Sequence, residues 1–344
     1  MMSRIASLVR PNIAALAPYS TARDEYDGPI GIFLDANESP YENGFNRYPD
    51  PHQAALKAKI APLKGIPVEN LFLGNGSDEA IDLVFRIFCE PGKDNAVIIS
   101  PSYGMYGVAA AINDVAVRNV RLEEDFSLDS GKLLGACDGR TKVIFLCSPN
   151  NPSGNAFPKE QLRDICDRFP GIVVIDEAYV DFSEQGSLAA EAVARENLVV
   201  LQTLSKARAM AGLRIGIAVS NVEVIQLMSR VKYPYNLSRA AMEKALILIE
   251  HKIDNEISTI INERKRLNSI LPYLPFVRKV FPSDANFILV RVDNADSLYD
   301  YLLKEGIIVR NRTRVPGCEG CLRLTVGLPA ENEALLNALE NYAL

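Results

Sequence analysis

Two residues that could act as acid–base groups stand just after short runs of apolar, mostly β-branched residues. Lys206 comes shortly after the run Leu198 to Leu201, and Asp176 directly follows Ile172 to Ile175. A lysine just past a buried strand can have a lowered pKa, and its neutral amine can form a Schiff base with a carbonyl group. A carboxylate in such a place loses hydration and needs a cation or a proton donor as its partner. Together the two residues predict carbonyl chemistry assisted by a buried acid.

A glycine-rich segment, Gly-Asn-Gly-Ser-Asp-Glu at residues 74–79, predicts a phosphate-binding site. It follows the apolar residues 71–73 and opens an amphipathic helix, for which Ser77 or Asp78 is available as the N-cap. Free backbone N–H groups and the positive end of the helix dipole favour a bound phosphate there. A glycine-rich turn that binds nothing is the alternative, because short glycine motifs are common.

A third segment, Ser-Pro-Asn-Asn-Pro-Ser-Gly at residues 148–154, follows the apolar run Val143 to Leu146. Its two prolines and its glycine restrict the loop, so that an asparagine amide is held in one place. An Asx-type turn with a purely structural role is an equally good interpretation. Arg214 lies in a further glycine-containing segment, residues 211–216, shortly after Lys206.

The elements that position these residues alternate between strands and helices from about residue 70 to residue 230. Apolar runs at 71–73, 97–99, 143–146, 172–175 and 198–201 are separated by helical patterns such as Ile81, Val84, Phe85 and Phe88. Such alternation predicts an α/β fold with a mostly parallel central sheet and helices on both faces. Ligands of such sheets bind beyond the carboxyl ends of the strands, so we expect the groups above to share one edge.

The pattern changes at about residue 238. A long helical stretch to about Leu267 is followed by short apolar runs at 287–290, 307–309 and 322–326, with a helix between the first two and another at the end. This order is typical of a small α+β domain. We therefore predict an N-terminal arm at 1–30, a large ligand-binding domain at 31–237 and a small C-terminal domain at 238–344.

Composition restricts the class of protein further. The 344 residues are 48% hydrophobic and 23% charged, as in ordinary globular proteins, and no apolar stretch is long enough for a bilayer span. A net charge of −6 argues against a nucleic-acid partner, and six dispersed cysteines are typical of reduced thiols in the cytoplasm. Cys318 and Cys321 form a single CxxC without the further ligands that a zinc site needs, so no metal is expected.

Several motifs, taken together and in this order, resemble the fold-type I pyridoxal-phosphate aminotransferases and, more narrowly, the histidinol-phosphate aminotransferase family. The resemblance covers essentially the whole chain. The segments that carry it are Ala-Pro-Tyr (17–19), Leu-Asp-Ala-Asn-Glu (34–38), Asn-Arg-Tyr-Pro-Asp (46–50), Pro-Ser-Tyr-Gly-Met-Tyr (101–106), Ser-Pro-Asn-Asn-Pro-Ser-Gly (148–154), Asp-Glu-Ala-Tyr (176–179), Thr-Leu-Ser-Lys-Ala (203–207) and Cys-Leu-Arg-Leu-Thr-Val-Gly (321–327).

The resemblance implies pyridoxal 5′-phosphate as cofactor and assigns roles around its ring. Lys206 holds the cofactor as a Schiff base and later carries a proton. Asp176 pairs with the pyridinium nitrogen and keeps it protonated, so that the ring can accept electrons. Asn151 and Tyr179 bind the phenolic oxygen, and Tyr103 stacks on the ring.

The same resemblance assigns residues to the cofactor phosphate and to the substrate. Ser77, Asp78, Ser205 and Arg214 surround the phosphate, and Tyr48 reaches it from the neighbouring subunit of a homodimer. Tyr19, Asn37, Asn151, Arg310 and Arg323 form the substrate pocket, in which Arg323 binds the α-carboxylate or its counterpart.

The expected reaction is transamination between L-histidinol phosphate and 2-oxoglutarate, a step of histidine biosynthesis in which imidazole acetol phosphate and L-glutamate are formed. Alternatives are an aromatic aminotransferase, a threonine-phosphate decarboxylase of the same fold, and a ligand-sensing regulator, for which the chain shows no DNA-binding segment. Arg312 and Arg314 are interpreted as a basic surface loop. Arg208 departs from the aromatic or apolar residue that is usual in the family, and we expect it to point to solvent.

Overall fold

A seven-stranded sheet forms the centre of the larger part of the chain in the computed structural model, which describes residues 4–21 and 31–342. Its strands are β1 (Leu71–Asn75), β2 (Asn95–Ser100), β3 (Ala116–Arg121), β4 (Thr141–Cys147), β5 (Ile172–Asp176), β6 (Leu198–Thr203) and β7 (Ile215–Val219). They lie in the order β1-β7-β6-β5-β4-β2-β3. Only β7 is antiparallel to its neighbours, and every other pairing is parallel.

The central strands are buried on both faces, as their apolar runs require. Along β5, Val173 and Ile175 belong to the core on one face, whereas Ile172 and Val174 belong to the core on the other. The helices that cover these faces and the smaller sheet are α1 (Arg4–Leu8), α2 (Pro11–Ala14), α3 (Ala54–Lys64), α4 (Gly76–Phe88), α5 (Met105–Ile112), α6 (Ser130–Gly135), α7 (Lys159–Arg168), α8 (Ala189–Ala192), α9 (Val222–Val231), α10 (Arg239–Leu248), α11 (Asp254–Ile270), α12 (Ala295–Lys304) and α13 (Pro329–Tyr342). No helix within 4–21 and 31–342 has both the length and the apolarity that a bilayer crossing requires.

A second, fully antiparallel sheet lies in the C-terminal part. Its strands are β8 (Val277–Val280), β9 (Phe287–Val292), β10 (Arg310–Asn311) and β11 (Cys321–Thr325), in the order β10-β11-β9-β8. Leu322 and Leu324 pack into the core of the smaller part. Cys321 and Leu289 face the other way and pack with the core of the large sheet. One face of the small sheet is therefore turned toward the large one.

The predicted fold class is confirmed, but several local predictions are wrong. The expected helical stretch to Leu267 is two helices, α10 and α11, separated at residues 249–253. The apolar run at residues 307–309 does not form a strand, and strand β10 begins after it, at Arg310. Helix α4 begins at Gly76 with Asn75 as its N-cap, so neither Ser77 nor Asp78 caps it.

The domain division at 1–30, 31–237 and 238–344 stays a prediction. Helix α10 begins just past the proposed boundary, yet its Met242 and Ala245 pack into the core of the large sheet. Part of the proposed arm, residues 22–30, lies outside the described residues. At the start of that arm, Ile5 and Val9 pack against the large sheet.

Candidate active site

The chemically suggestive residues meet at one edge of the large sheet. Strands β4, β5 and β6 end there, and β7, which runs in the opposite direction, begins there. Arg214 directly precedes β7 and therefore lies beside residues that follow the parallel strands. A pocket at this edge is lined by Ser77, Asp78, Tyr103, Cys147, Asn151, Asp176, Ala178, Tyr179, Thr203, Ser205, Lys206 and Arg214. All predicted cofactor residues except Tyr48 are among them.

Asp176 is the buried acid of this pocket, with 3% of its surface exposed. Its Oδ1 accepts a hydrogen bond from the backbone N–H of Ala178 at 3.0 Å, and its Oδ2 accepts one from the hydroxyl of Tyr106 at 2.8 Å. Burial raises the pKa of Asp176 to about 6, although both hydrogen bonds oppose this shift. A carboxylate in this environment is stabilised when a cation lies beside it.

Lys206 faces the same pocket from the turn after β6. The turn is closed by hydrogen bonds from the Ala209 N–H to the Lys206 carbonyl and from the Met210 N–H to the Leu204 carbonyl, both at 3.0 Å. The Nζ atom lies 5.6 Å from the centre of the Tyr179 ring. Partial burial lowers the pKa of Lys206, and the positive charges of Arg323 and Arg214 lower it further. A lowered pKa makes the neutral, nucleophilic amine more accessible.

The end of the pocket near the start of α4 carries groups that favour an anion. Helix α4 begins there at Gly76, whose φ of +73° suits glycine, and the Gly76 N–H donates to the carbonyl of Arg214 at 2.8 Å. Strand β7 passes so close that a Cβ on Gly216 would lie 2.2 Å from the carbonyl carbon of Gly76. The helix N-terminus and the guanidinium of Arg214 bring two positive features together, which favours a bound phosphate.

Hydroxyl and carboxylate groups complete this end. The Thr203 hydroxyl donates to Oγ of Ser205 at 2.9 Å and accepts from the Ser205 N–H at 3.0 Å. The carboxylate of Asp78 accepts from the Tyr103 hydroxyl at 3.0 Å and lies 3.6 Å from the Arg214 guanidinium. The Asp78 carboxylate is thus engaged with Tyr103 and Arg214 within the chain.

Asn151 joins the pocket to the small sheet. Its amide nitrogen donates to the Tyr179 hydroxyl at 3.3 Å, and its Oδ1 accepts from the guanidinium of Arg323 on β11. The neighbouring Asn150 is fully buried and donates to the Pro101 carbonyl at 3.0 Å. Of the two asparagines, Asn150 fixes the loop and Asn151 presents its amide to the pocket.

Five predicted residues do not line this pocket, although one of them, Arg323, reaches Asn151 at its edge from β11. Tyr19 and Asn37 are exposed, and Tyr48 stacks on Tyr235 with ring centres 4.4 Å apart on a separate surface. Arg310 is exposed and pairs in register with Arg323. The single chain thus assembles the cofactor end but not the whole predicted substrate end.

The sequence prediction assigned no role to Tyr106 or to Cys147. Tyr106 lies on α5, three residues after Tyr103, and is fully buried. In the sequence, a tyrosine in a stretch otherwise made of small and aliphatic residues is the available signal. The prediction for Arg208 is wrong, because its guanidinium donates to the carbonyls of Ile249 at 3.1 Å and His251 at 2.9 Å. It joins the lysine loop to the segment after α10.

These features fit pyridoxal phosphate. The buried carboxylate of Asp176 can pair with a cationic ring nitrogen, and the amine of Lys206, whose pKa is lowered, can form a Schiff base with an aldehyde. The N-terminus of α4 and Arg214 can bind a phosphate. Fold and site together define the fold-type I class of pyridoxal-phosphate-dependent enzymes. Within the described ranges, no group of three or more His, Cys, Asp or Glu side chains is arranged to hold a metal ion.

The chain belongs to the class I and II aminotransferases, whose family model matches residues 32–339. It is 53% identical to the histidinol-phosphate aminotransferase of Parabacteroides distasonis, with 100% of both chains covered. The crystal structure of the histidinol-phosphate aminotransferase from Clostridium acetobutylicum superposes with a TM-score of 0.79 at 27% identity, over 86% of this chain and 90% of that one.

A third similar protein shows a likeness of fold alone. The histidinol-phosphate aminotransferase from Sinorhizobium meliloti, solved in complex with pyridoxal-5′-phosphate, gives a TM-score of 0.79 at 24% identity, over 86% of this chain and 83% of that one. The predicted enzyme class is confirmed: the chain is an aminotransferase. The full-length relatives favour the histidinol-phosphate prediction over the aromatic aminotransferase and the decarboxylase.

Proposed function

We propose that this enzyme transfers the amino group of L-histidinol phosphate to 2-oxoglutarate, with pyridoxal 5′-phosphate held on Lys206. The products are imidazole acetol phosphate and L-glutamate. The observation that carries this proposal is the similarity over the full length to histidinol-phosphate aminotransferases, at 53% identity in one case. The pocket geometry independently supports the cofactor part of this proposal, since the amine, the buried acid and the end that we assign to the phosphate lie together.

Lys206 and Asp176 supply the acid–base chemistry. Pyridoxal phosphate, when bound, provides an aldehyde for the amino group and a ring that takes up the electron pair left at the substrate Cα. With the cofactor bound, the neutral Lys206 amine would take the proton from the substrate Cα as general base and deliver it to the cofactor's C4′ carbon as general acid. Its lowered pKa keeps the amine available for this work. The Asp176 carboxylate stabilises a positive charge on the ring nitrogen.

The remaining pocket residues orient these groups. Tyr103 bounds the pocket beside the ring position, and Asn151 with Tyr179 presents hydrogen-bonding groups to a phenolic oxygen. Ser77, the Asp78 backbone, Ser205 and Arg214 are assigned to the phosphate. Arg323 is assigned to the substrate's anionic group, because its guanidinium already reaches Asn151 from the small sheet.

We further propose a homodimer in which Tyr48 of the partner subunit reaches the cofactor phosphate. Apolar side chains on the segment before Tyr48 are exposed, including Ile32 at 92%, Leu34 at 89% and Tyr41 at 84%. Exposed apolar surface of this extent is typical of a protein interface. Tyr19 and Asn37, which are outside the pocket of their own chain, would then complete the substrate end from the same interface. From its small-molecule biosynthetic role we also propose that the enzyme acts in the cytoplasm.

Mixed dimers test the shared site. A Tyr48→Phe protein and a Lys206→Ala protein should each have low activity, and mixing them after mild dissociation should restore part of it, since some heterodimers then hold one intact site. Activity that stays at the sum of the separate variants, or a fully active monomer in analytical ultracentrifugation, contradicts the shared site.

A substrate panel tests the reaction. Purified holoenzyme should transfer the amino group of histidinol phosphate to 2-oxoglutarate with a kcat/KM at least tenfold above that for histidinol, phenylalanine or tyrosine, since each charge-assisted contact to phosphate is worth roughly 1.5–3 kcal/mol. Threonine phosphate is the control for decarboxylation. Release of carbon dioxide from it without amino transfer, or equal use of histidinol and histidinol phosphate, contradicts the proposed substrate.

A further inference from the structure

Four arginines project from one face of the small sheet. Arg291 donates to the carbonyl of Gly317 at 3.2 Å, and the other three are Arg310, Arg312 and Arg323. Arg310 is the register partner of Arg323, and Arg312 donates its backbone N–H to the carbonyl of Cys321 at 2.9 Å. Because side chains alternate along extended strands, Arg310, Arg312 and Arg323 project from the same face. This is the face turned toward the large domain, since Cys321 and Leu289 on it pack with the large core.

Arg312 is not the surface residue that the sequence suggested. It is half-buried, whereas Arg314, two residues later on the same loop, is exposed as predicted. The Nε atoms of Arg312 and Arg323 are both buried and have no hydrogen-bond partner in the part of the chain that the structure describes. Burial lowers the pKa of Arg312, and the positive charges of Arg323 and Arg310 lower it further.

Such an arrangement is unfavourable for the chain alone. A buried donor without an acceptor loses hydration without compensation, and like charges in a partly buried cluster repel one another. An anion on this face removes both costs. A carboxylate, with one charge, is matched by a single bidentate guanidinium, whereas a phosphate monoester carries up to two charges and three acceptor oxygens.

We propose that Arg312 determines substrate specificity, its guanidinium joining Arg310 and Arg323 in binding the doubly charged phosphate group of the substrate. The inference rests on the proposed function and deepens it, because it adds a residue that a carboxylate-bearing amino acid does not need. Arg323, nearest to Asn151, serves both amino donors, and Arg312 serves the phosphorylated one.

The test compares Arg312→Gln with the matched control Arg314→Gln in the holoenzyme, whose bound cofactor absorbance shows that the site is intact. Arg312→Gln should lower kcat/KM for histidinol phosphate by about ten- to a hundredfold, and at least tenfold more than it lowers kcat/KM for L-glutamate. Arg312→Lys should recover part of the loss, because it restores the positive charge but not the planar guanidinium that can donate two parallel hydrogen bonds. Arg314→Gln should change neither value by more than about threefold.

Two measurements that do not depend on turnover complete the design. Inorganic phosphate, titrated calorimetrically into holoenzyme, should bind at least tenfold more weakly to Arg312→Gln than to the wild type or to Arg314→Gln. Without phosphate, the Tm of Arg312→Gln should equal or exceed that of the wild type, because the substitution relieves charge repulsion. A lowered Tm with equal losses for both amino donors would mean a structural role and would overturn the proposal.

The proposed function and this inference can fail separately. If wild-type enzyme does not use histidinol phosphate, the proposed reaction is wrong, and the phosphate titration alone decides whether Arg312 binds the dianion. If histidinol phosphate is used well and Arg312→Gln behaves like Arg314→Gln in both assays, the proposed function stands and the assignment of Arg312 is refuted.

Discussion

Replacing Tyr106 by phenylalanine isolates one hydrogen bond to the buried acid. Tyr106 is fully buried, its ring lies 5.0 Å from that of Phe145 and 5.5 Å from that of Tyr103, and phenylalanine keeps these contacts. What is lost is the donor 2.8 Å from Oδ2 of Asp176. Hydrogen bonds to charged groups contribute about 1.5–3 kcal/mol, which corresponds to about one to two pKa units.

The direction of the change follows from which protonation state the bond favours. Burial raises the pKa of Asp176, and the hydrogen bond that the Tyr106 hydroxyl donates to the carboxylate lowers it. The result of the two effects is a pKa of about 6. Without the donor this pKa rises, so the carboxylate is lost at higher pH as the solution is acidified. A cationic ring nitrogen beside Asp176 lowers the pKa in both proteins, but the difference between them remains.

The assay is kcat/KM for the amino donor between pH 5.5 and 9.5, together with the absorbance of the bound cofactor over the same range. The acidic limb of the Tyr106→Phe profile should lie about one to two pH units above that of the wild type, with activity largely recovered on the alkaline side. Tyr342→Phe is the control, since it removes a hydroxyl that contacts Ser297 on the small domain. Superimposable acidic limbs, or a loss that is equal at every pH, would refute the reasoning.

Three further substitutions test other parts of the site. Lys206→Ala should abolish the bond to the cofactor that borohydride traps and lower turnover by several orders of magnitude, because it removes the covalent anchor and the proton carrier. Gly216→Ala should destabilise the fold by at least about 3 kcal/mol and weaken cofactor binding in an equilibrium titration, because its Cβ would lie 2.2 Å from the backbone of Gly76. Arg208→Met should lower the free energy of unfolding by about 1–3 kcal/mol in urea, because it leaves the carbonyls of Ile249 and His251 without their donor.

Each of these has a contrary outcome. Normal turnover of Lys206→Ala would show that another amine carries the chemistry. If Gly216→Ala bound the cofactor as tightly as the wild type, the start of α4 would tolerate a displacement of β7. Wild-type stability of Arg208→Met, measured against the exposed control Arg314→Met, would mean that water replaces the guanidinium at no cost.

Nine residues that the sequence assigned to the cofactor line one pocket, and their proximity could be predicted because most of them stand at the ends of strongly apolar runs. Asp176 follows four consecutive buried residues of β5, and Lys206 follows the equally buried β6. Such runs identify strands, and parallel strands place the residues that follow them at one edge. The arrangement of Lys206 opposite Asp176 therefore follows from the local pattern and the fold class.

Arg214, Arg312 and Arg208 show what could not be predicted from the pattern. Arg214 precedes its strand, and it reaches the shared edge only because β7 runs antiparallel, which no local signal indicates. The burial of Arg312 depends on a contact between the two sheets, and the partners of Arg208 are backbone carbonyls that lie beyond a helix. Polar residues whose partners are distant in the chain look, in sequence, like surface residues.

The position of β7 also has a consequence for folding. Among the described residues, strand β1 pairs with β7 alone, with Asn75 opposite Ile215. Strand β1 therefore cannot join the large sheet until a segment far along the chain has been inserted beside β6. Closing so long a loop is slow, because its entropy is lost before the contact is gained. The turn after β1, which we assign to the cofactor phosphate, should thus be among the last parts of the pocket to form. A newly made chain would acquire its affinity for cofactor only as this sheet is completed, and bound cofactor would then oppose the reverse step.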